Sequence, residues 1–174
     1  VEKMTPEKVE HSDLKNFLDE KVLKYNKPFF IETDPIRVPK NFSGKENIEI
    51  SAFLTATIAW GNRQSIIKNA KKLMALMENE PQDFVLNHSV NDLKILEKFV
   101  HRTFNGSDCI YFVRSLKNIY QNHGGLQTVV ENGFRKENEV KSALSEFYKV
   151  FFEIGGNAAE NTFRMLKKVR RQNV

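Results

Sequence analysis

Along the chain, apolar residues recur three and four positions apart and almost nowhere alternate with period two, which is the mark of amphipathic helices rather than half-buried strands. Leu14, Phe17, Leu18, Val22 and Tyr25 follow this spacing, and Ser12 is placed to cap the helix they define. The stretch KPFFIETDPIRVPKNF interrupts the pattern. Its Pro28, Pro35 and Pro39 forbid one continuous helix and predict an extended, turn-containing connection, with Phe29, Phe30 and Ile31 strapped over the core. Ser43 followed by Glu46 has capping-box spacing and opens a helix through NIEISAFLTATIAW. So little of that helix is polar that it is expected to be central and buried on nearly all sides.

Gly61 and Asn62 make the next turn, and Asn62 can cap RQSIIKNAKKLMALMEN. There Ile66, Ile67, Ala70, Leu73, Met74 and Met77 form one stripe opposite Lys68, Lys71 and Lys72, and Pro81 ends the run. Shorter helices are expected around Phe84 and around Leu93, Leu96 and Phe99. A longer one, DCIYFVRSLKNIYQNH, closes at Gly124-Gly125 as a C-cap pair would. LQTVVENGF and EVKSALSEFYKVFF complete the series. With no internal repeat, low-complexity tract or linker, the pattern predicts an all-α fold built as a single helical domain.

Composition supports one domain. The 174 residues are 40% hydrophobic and include 14 Phe, enough for one real core and too few for two. No run of about 18 apolar residues occurs, and VEKMTPEKVEHSDLK lacks an apolar signal core, so the chain reads as cytoplasmic with no membrane partner. Cys109 is the single cysteine and cannot form an internal disulfide. His11, His88, His101 and His123 lack the spacing of a zinc site. No metal or cofactor is expected. The net charge of +5 invites a nucleic-acid reading, but it is unevenly spread. Residues 160–174 hold five of the 27 basic side chains and one of the 22 acidic ones, which leaves 22 against 21 in residues 1–159. The body is nearly neutral.

Few residues stand out as chemical candidates. Glu46 and Glu49 lie three apart on nearly one face, a spacing open to an acid/base pair but more commonly that of helix-end acids stabilising the dipole. Asp34-Pro35 reads as a turn former and is given no catalytic role. His101 and His123 read as surface or helix-terminal residues, and Cys109 as a buried structural thiol. The stretch AWGNRQS joins a buried helix to an amphipathic one. Free amides at a helix N-terminus beside Arg63 make a ready anion site, against the plainer reading of Asn62 as N-cap, Gly61 as C-cap and Trp60 as core.

The residues from Tyr25 to Asn87 resemble the N-terminal half of a bacterial family of unknown function whose members share DPI, an aromatic strap and EI..FL...AWGNR.SI; the likeness spans Leu14 to Phe152. Within it, ENIEISAFLTATIAWGNRQSIIKNAKKL is similar to the first core element of the helix-hairpin-helix DNA glycosylase superfamily, the endonuclease-III-like enzymes. That resemblance implies a partial helix-hairpin-helix DNA glycosylase-like bundle. It also implies that the loop Trp60, Gly61, Asn62, Arg63 and Gln64 approaches the minor groove of duplex DNA, with Asn62, Arg63 or Gln64 filling the gap left by a flipped-out base. Where those enzymes usually carry Ser-Gln, this chain has Trp-Gly. The superfamily places its hairpin, catalytic Asp and lyase Lys in the second half of the domain, so the resemblance implies a truncated half without catalytic residues.

The ending ENTFRMLKKVRRQNV fits that expectation. Back-translated with one allowed set of codons and read from the third base of the Asn161 codon, its last thirteen residues regroup as HISDAEKGSAAKR, which resembles the family's own continuation. Residues 1–159 are therefore expected to be the helical domain and 160–174 an out-of-frame tail, although Phe163, Leu166 and Val169 also fit a basic helix. Two functional readings remain open. The intact protein is a DNA-binding, base-excision-type protein of which this chain is a catalytically silent part, or it is a non-enzymatic helical interaction module, which the near-neutral body favours. Truncation is expected to uncover a face of the buried helix and to drive self-association.

Overall fold

The computed structural model describes residues 10–154, which form an all-α domain. The expected boundary at 159–160 and the out-of-frame tail lie outside these residues. The helices are α1 (His11–Tyr25), α2 (Pro28–Thr33), α3 (Lys45–Thr57), α4 (Arg63–Leu76), α5 (Pro81–Asn87), α6 (Val90–Leu96), α7 (Gly106–Asn122), α8 (Leu126–Glu137) and α9 (Val140–Phe151). Two 3-10 turns, Pro35–Arg37 and Pro39–Asn41, join α2 to α3. Among the described residues the only strands are β1 (Val100–His101) and β2 (Phe104–Asn105), paired antiparallel with His101 opposite Phe104.

The central element is α7, not α3. A capping box starts α7: the Asn105 side chain accepts from Ser107 N at 2.9 Å, and Asp108 Oδ2 accepts from Asn105 N at 3.0 Å. Cys109, Phe112, Val113, Leu116 and Ile119 are then buried along its length. Phe112 meets Phe151 of α9 edge-on at 4.8 Å and Phe53 of α3 at 5.8 Å, which ties three helices into one aromatic core. Burying a side chain such as Phe151, 1% exposed, contributes about 1.5–3 kcal/mol. Helix α3 buries only Ile50, Ser51, Leu54 and Thr55, whereas its Ile48 and Ala56 are exposed. Its Ala52 and Ala56 are too small to fill a core, and they line a cleft instead.

Other local expectations are also revised. Gly44, at φ +81°, is the N-cap of α3 and no Ser43–Glu46 capping box forms. Glu10 rather than Ser12 precedes α1, and α1 buries none of its residues. Phe29, Phe30 and Ile31 are helical rather than extended, because Pro28 occupies the first turn of α2, where its missing N–H costs nothing. Glu49 is not simply a helix-end acid: Tyr120 Oη donates to its Oε2 at 2.8 Å, joining α7 to α3. Burial, reinforced by that carboxylate, pushes the Tyr120 phenol well above its ordinary range. Cys109 is buried as expected, and desolvation with some help from Asp108 pushes its thiol up to about 12. Helices α8 and α9 form a tight hairpin because Gly133 lets them touch; a Cβ there would lie 2.8 Å from Ala143 Cα and 2.9 Å from the Ser142 carbonyl.

Candidate functional site

The loop between α3 and α4 takes its shape from two residues. Gly61, at φ +102°, turns the chain in a region that side chains with a Cβ rarely enter. Asn62 then caps α4, its Oδ1 accepting from Gln64 N at 3.0 Å and Ser65 N at 3.3 Å. Gly61, Asn62, Arg63 and Gln64 are all exposed. Trp60 is half-buried and packs on the core. Because capping commits the Asn62 carbonyl, Arg63 and Gln64 are the two loop side chains with polar ends free of the local backbone.

The β1–β2 hairpin, which nothing in the helical periodicity indicates, supports this loop from beneath. His101 is 3% exposed, so it is neither a surface nor a helix-terminal residue. Its Nδ1 lies 2.8 Å from Asn69 Nδ2 of α4, its Nε2 lies 3.3 Å from the Trp60 carbonyl, and its ring meets the Trp60 indole edge-on at 5.4 Å. An amide N–H can only donate and a carbonyl can only accept, so this pair of contacts fits an imidazole carrying its hydrogen on Nε2. The next residue, Arg102, turns the hairpin at φ +55° and lays its guanidinium over Gly61, where a Cβ would fall 2.5 Å from Nη2. A larger residue at 61 would therefore displace Arg102.

On the far side of the loop, the Asp34 carboxylate accepts from Ile36 N at 3.0 Å and so opens the turn Pro35–Arg37, as a turn-forming Asp should. Its Oδ2 also lies 4.0 Å from Arg63 Nη2, and the Arg63 guanidinium sits 5.4 Å from the Phe30 ring centre. The DPI and WGNR stretches, 26 residues apart from Asp34 to Trp60, thus meet at one cleft of about 520 Å³. Nothing in the local sequence assigns Asp34 a functional part, and only its distance from Arg63 in space reveals the pairing.

Helix α4 presents the strongest charge in this region. Arg63, Lys68, Lys71 and Lys72 are exposed and no acid lies anywhere on the helix. Gln64, Lys68, Lys71 and Lys72 fall on one face at helical spacing, opposite the buried Ile66, Ala70, Leu73 and Met74. Arg102, its guanidinium over Gly61, adds a further cation at the loop that leads into this helix. Among the described residues no cluster of three or more potential metal ligands occurs, and no helix is long and apolar enough to cross a membrane.

Residues 34–173 match the model of a family described as "Protein of unknown function (DUF2400)", and the match runs across the expected boundary at 159–160. With well over half of its length matched, the chain belongs to this family. No curated protein and no solved structure matches the chain.

Proposed function

Taking that membership as the premise, we propose that the protein binds duplex DNA through the Trp60–Gln64 loop and the cationic face of α4, in a base-excision-type role. One observation carries the reading: an acid-free helix with exposed Arg63, Lys68, Lys71 and Lys72 leads out of a loop that also holds the Arg102 guanidinium. Phosphates are the natural counter-charge for such a row. Lysines on α4 position the duplex, while exposed Arg63 and Gln64 face the bases or the gap between them. The described residues supply binding; no catalytic step is assigned to them.

A base-excision role predicts preference for damaged structure over plain duplex. Matched duplexes, one intact and one with an abasic site, would be compared by competition. A preference of about tenfold for the abasic duplex, lost in Gln64→Ala or Arg63→Ala, supports this reading. Equal affinity for both duplexes would reduce the function to non-specific DNA binding, and no binding to either would leave the helical interaction module in its place.

A further inference from the structure

Beside the loop, the cleft bounded by the turn Pro35–Arg37 and one face of α3 has the features of a small-molecule site. Its volume of about 520 Å³ lies within the ordinary range of such sites. Ala52, Thr55 and Ala56 fall three and four apart on α3 and line it, with Ala59 just beyond the helix end. Thr55 is only 4% exposed, and its hydroxyl, itself closed to solvent, has no hydrogen-bond partner among the described residues. Other hydroxyls of the same helix are satisfied locally: Thr57 donates to the Phe53 carbonyl at 2.8 Å and Ser51 to the Ile48 carbonyl at 3.1 Å. A buried hydroxyl left unpaired costs stability.

Two charged groups stand at the same cleft without spending their hydrogen bonds on each other. Asp34 Oδ2 and Arg63 Nη2 are 4.0 Å apart, beyond hydrogen-bond reach, although Asp34 Oδ1 is engaged by Ile36 N. The two lining charges cancel, so a singly charged ligand would set one like charge against it, while a zwitterion meets both with opposite charges. The remaining walls, including Pro35, Ala56 and Ile66, are aliphatic, and among the described residues no aromatic ring lines the cleft to stack on a planar heterocycle.

We propose that this cleft binds a small aliphatic zwitterion of amino-acid or dipeptide size, with its ammonium on Asp34 and its carboxylate on Arg63. The site goes beyond the nucleic-acid reading, because it needs neither DNA nor the lysines of α4. Its test is calorimetric titration and thermal shift of the full chain with L-leucine and with leucyl-leucine, against isovalerate, isoamylamine and uridine.

Saturable binding of a zwitterion with Kd on the order of 1 mM or tighter is expected, weakened about tenfold or more in Asp34→Asn and in Arg63→Gln. Ala56→Leu, which fills the cleft from an exposed helix position, should abolish it without lowering Tm. Thr55→Val should leave Tm unchanged or higher and the ligand unaffected, because it removes an unpaired hydroxyl that is closed off from the cleft. Failure of both zwitterions to bind at that concentration overturns the proposal. So does equal binding by isovalerate or isoamylamine, a response to uridine in place of the zwitterions, or zwitterion binding that survives Ala56→Leu.

Discussion

Replacing Gly61 by alanine would test whether the loop is held by backbone geometry or by the side chain lying on it. The added Cβ would meet Arg102 Nη2 at 2.5 Å, Nε at 2.6 Å and Cζ at 2.7 Å. These atoms are at the end of a long, exposed side chain, which can swing aside at little cost. The backbone has no such freedom. Holding a residue with a Cβ near φ +102° costs about 1–3 kcal/mol, and in a protein of this size each kcal/mol lowers Tm by about 2–4 °C. Gly61→Ala should therefore unfold about 2–12 °C earlier.

The same substitution should also weaken DNA, since Arg102 leaves its seat. Trp60 is the only tryptophan in the chain and adjoins the substitution, so urea denaturation followed by its fluorescence and by far-UV circular dichroism reads the loop and the helices together. If Gly61→Ala stayed within about 0.5 kcal/mol of the parent, the positive φ would not be required and the loop geometry would be refuted. If Arg102→Ala in the same chain abolished the loss, collision rather than backbone strain would be its cause.

Further outcomes follow from other parts of the fold. Gly133→Ala should cost about 1–3 kcal/mol or more, because the new Cβ meets backbone atoms of α9 that cannot yield; equilibrium denaturation matching the parent would contradict this. Tyr120→Phe should cost about 1–3 kcal/mol by depriving the largely covered Glu49 carboxylate of its donor, and Glu49→Gln in the same chain should recover part of that loss. Cys109 links stability to alkaline pH. Its thiol ionises near 9 when unfolded and at about 12 when folded, so its contribution is complete below pH 9 and is lost as pH rises through the folded value. Between those limits stability should fall by about 1.4 kcal/mol per pH unit from this group, and Cys109→Ala should remove that part of the slope in urea titrations at pH 8 and 10.

The helical class and most of the helices are legible in the sequence because their apolar stripes are long enough to show a period. Asn62 as the cap of α4 is legible for a related reason, since a cap acts within three residues of itself. The buried role given to α3 fails because hydrophobic count ignores volume: Ala52, Ala56 and Ala59 count as apolar but leave a cleft. The β1–β2 hairpin escapes detection because two-residue strands are too short to alternate and its turn, Arg102-Thr103, lacks the usual Gly or Asn. With it goes His101, whose contacts to Asn69 and Trp60 lie 32 and 41 residues away. The pairing of Asp34 with Arg63 likewise spans the whole of α3 and exists only in three dimensions.

The most direct test of the DNA-binding reading is the salt dependence of affinity for a labelled duplex, measured by anisotropy for the parent chain and for Lys68→Ala, Lys72→Ala and Arg102→Ala. Each phosphate contact contributes about −0.9 to the slope of log K against log salt, so the parent slope should be about −3 or steeper, and each substitution should make it shallower by about 0.9. Cationic residues elsewhere in the chain contribute equally to all four proteins and cancel in the comparison. An absence of binding at low salt, or a slope that stays the same when all three residues are replaced together, would contradict the account.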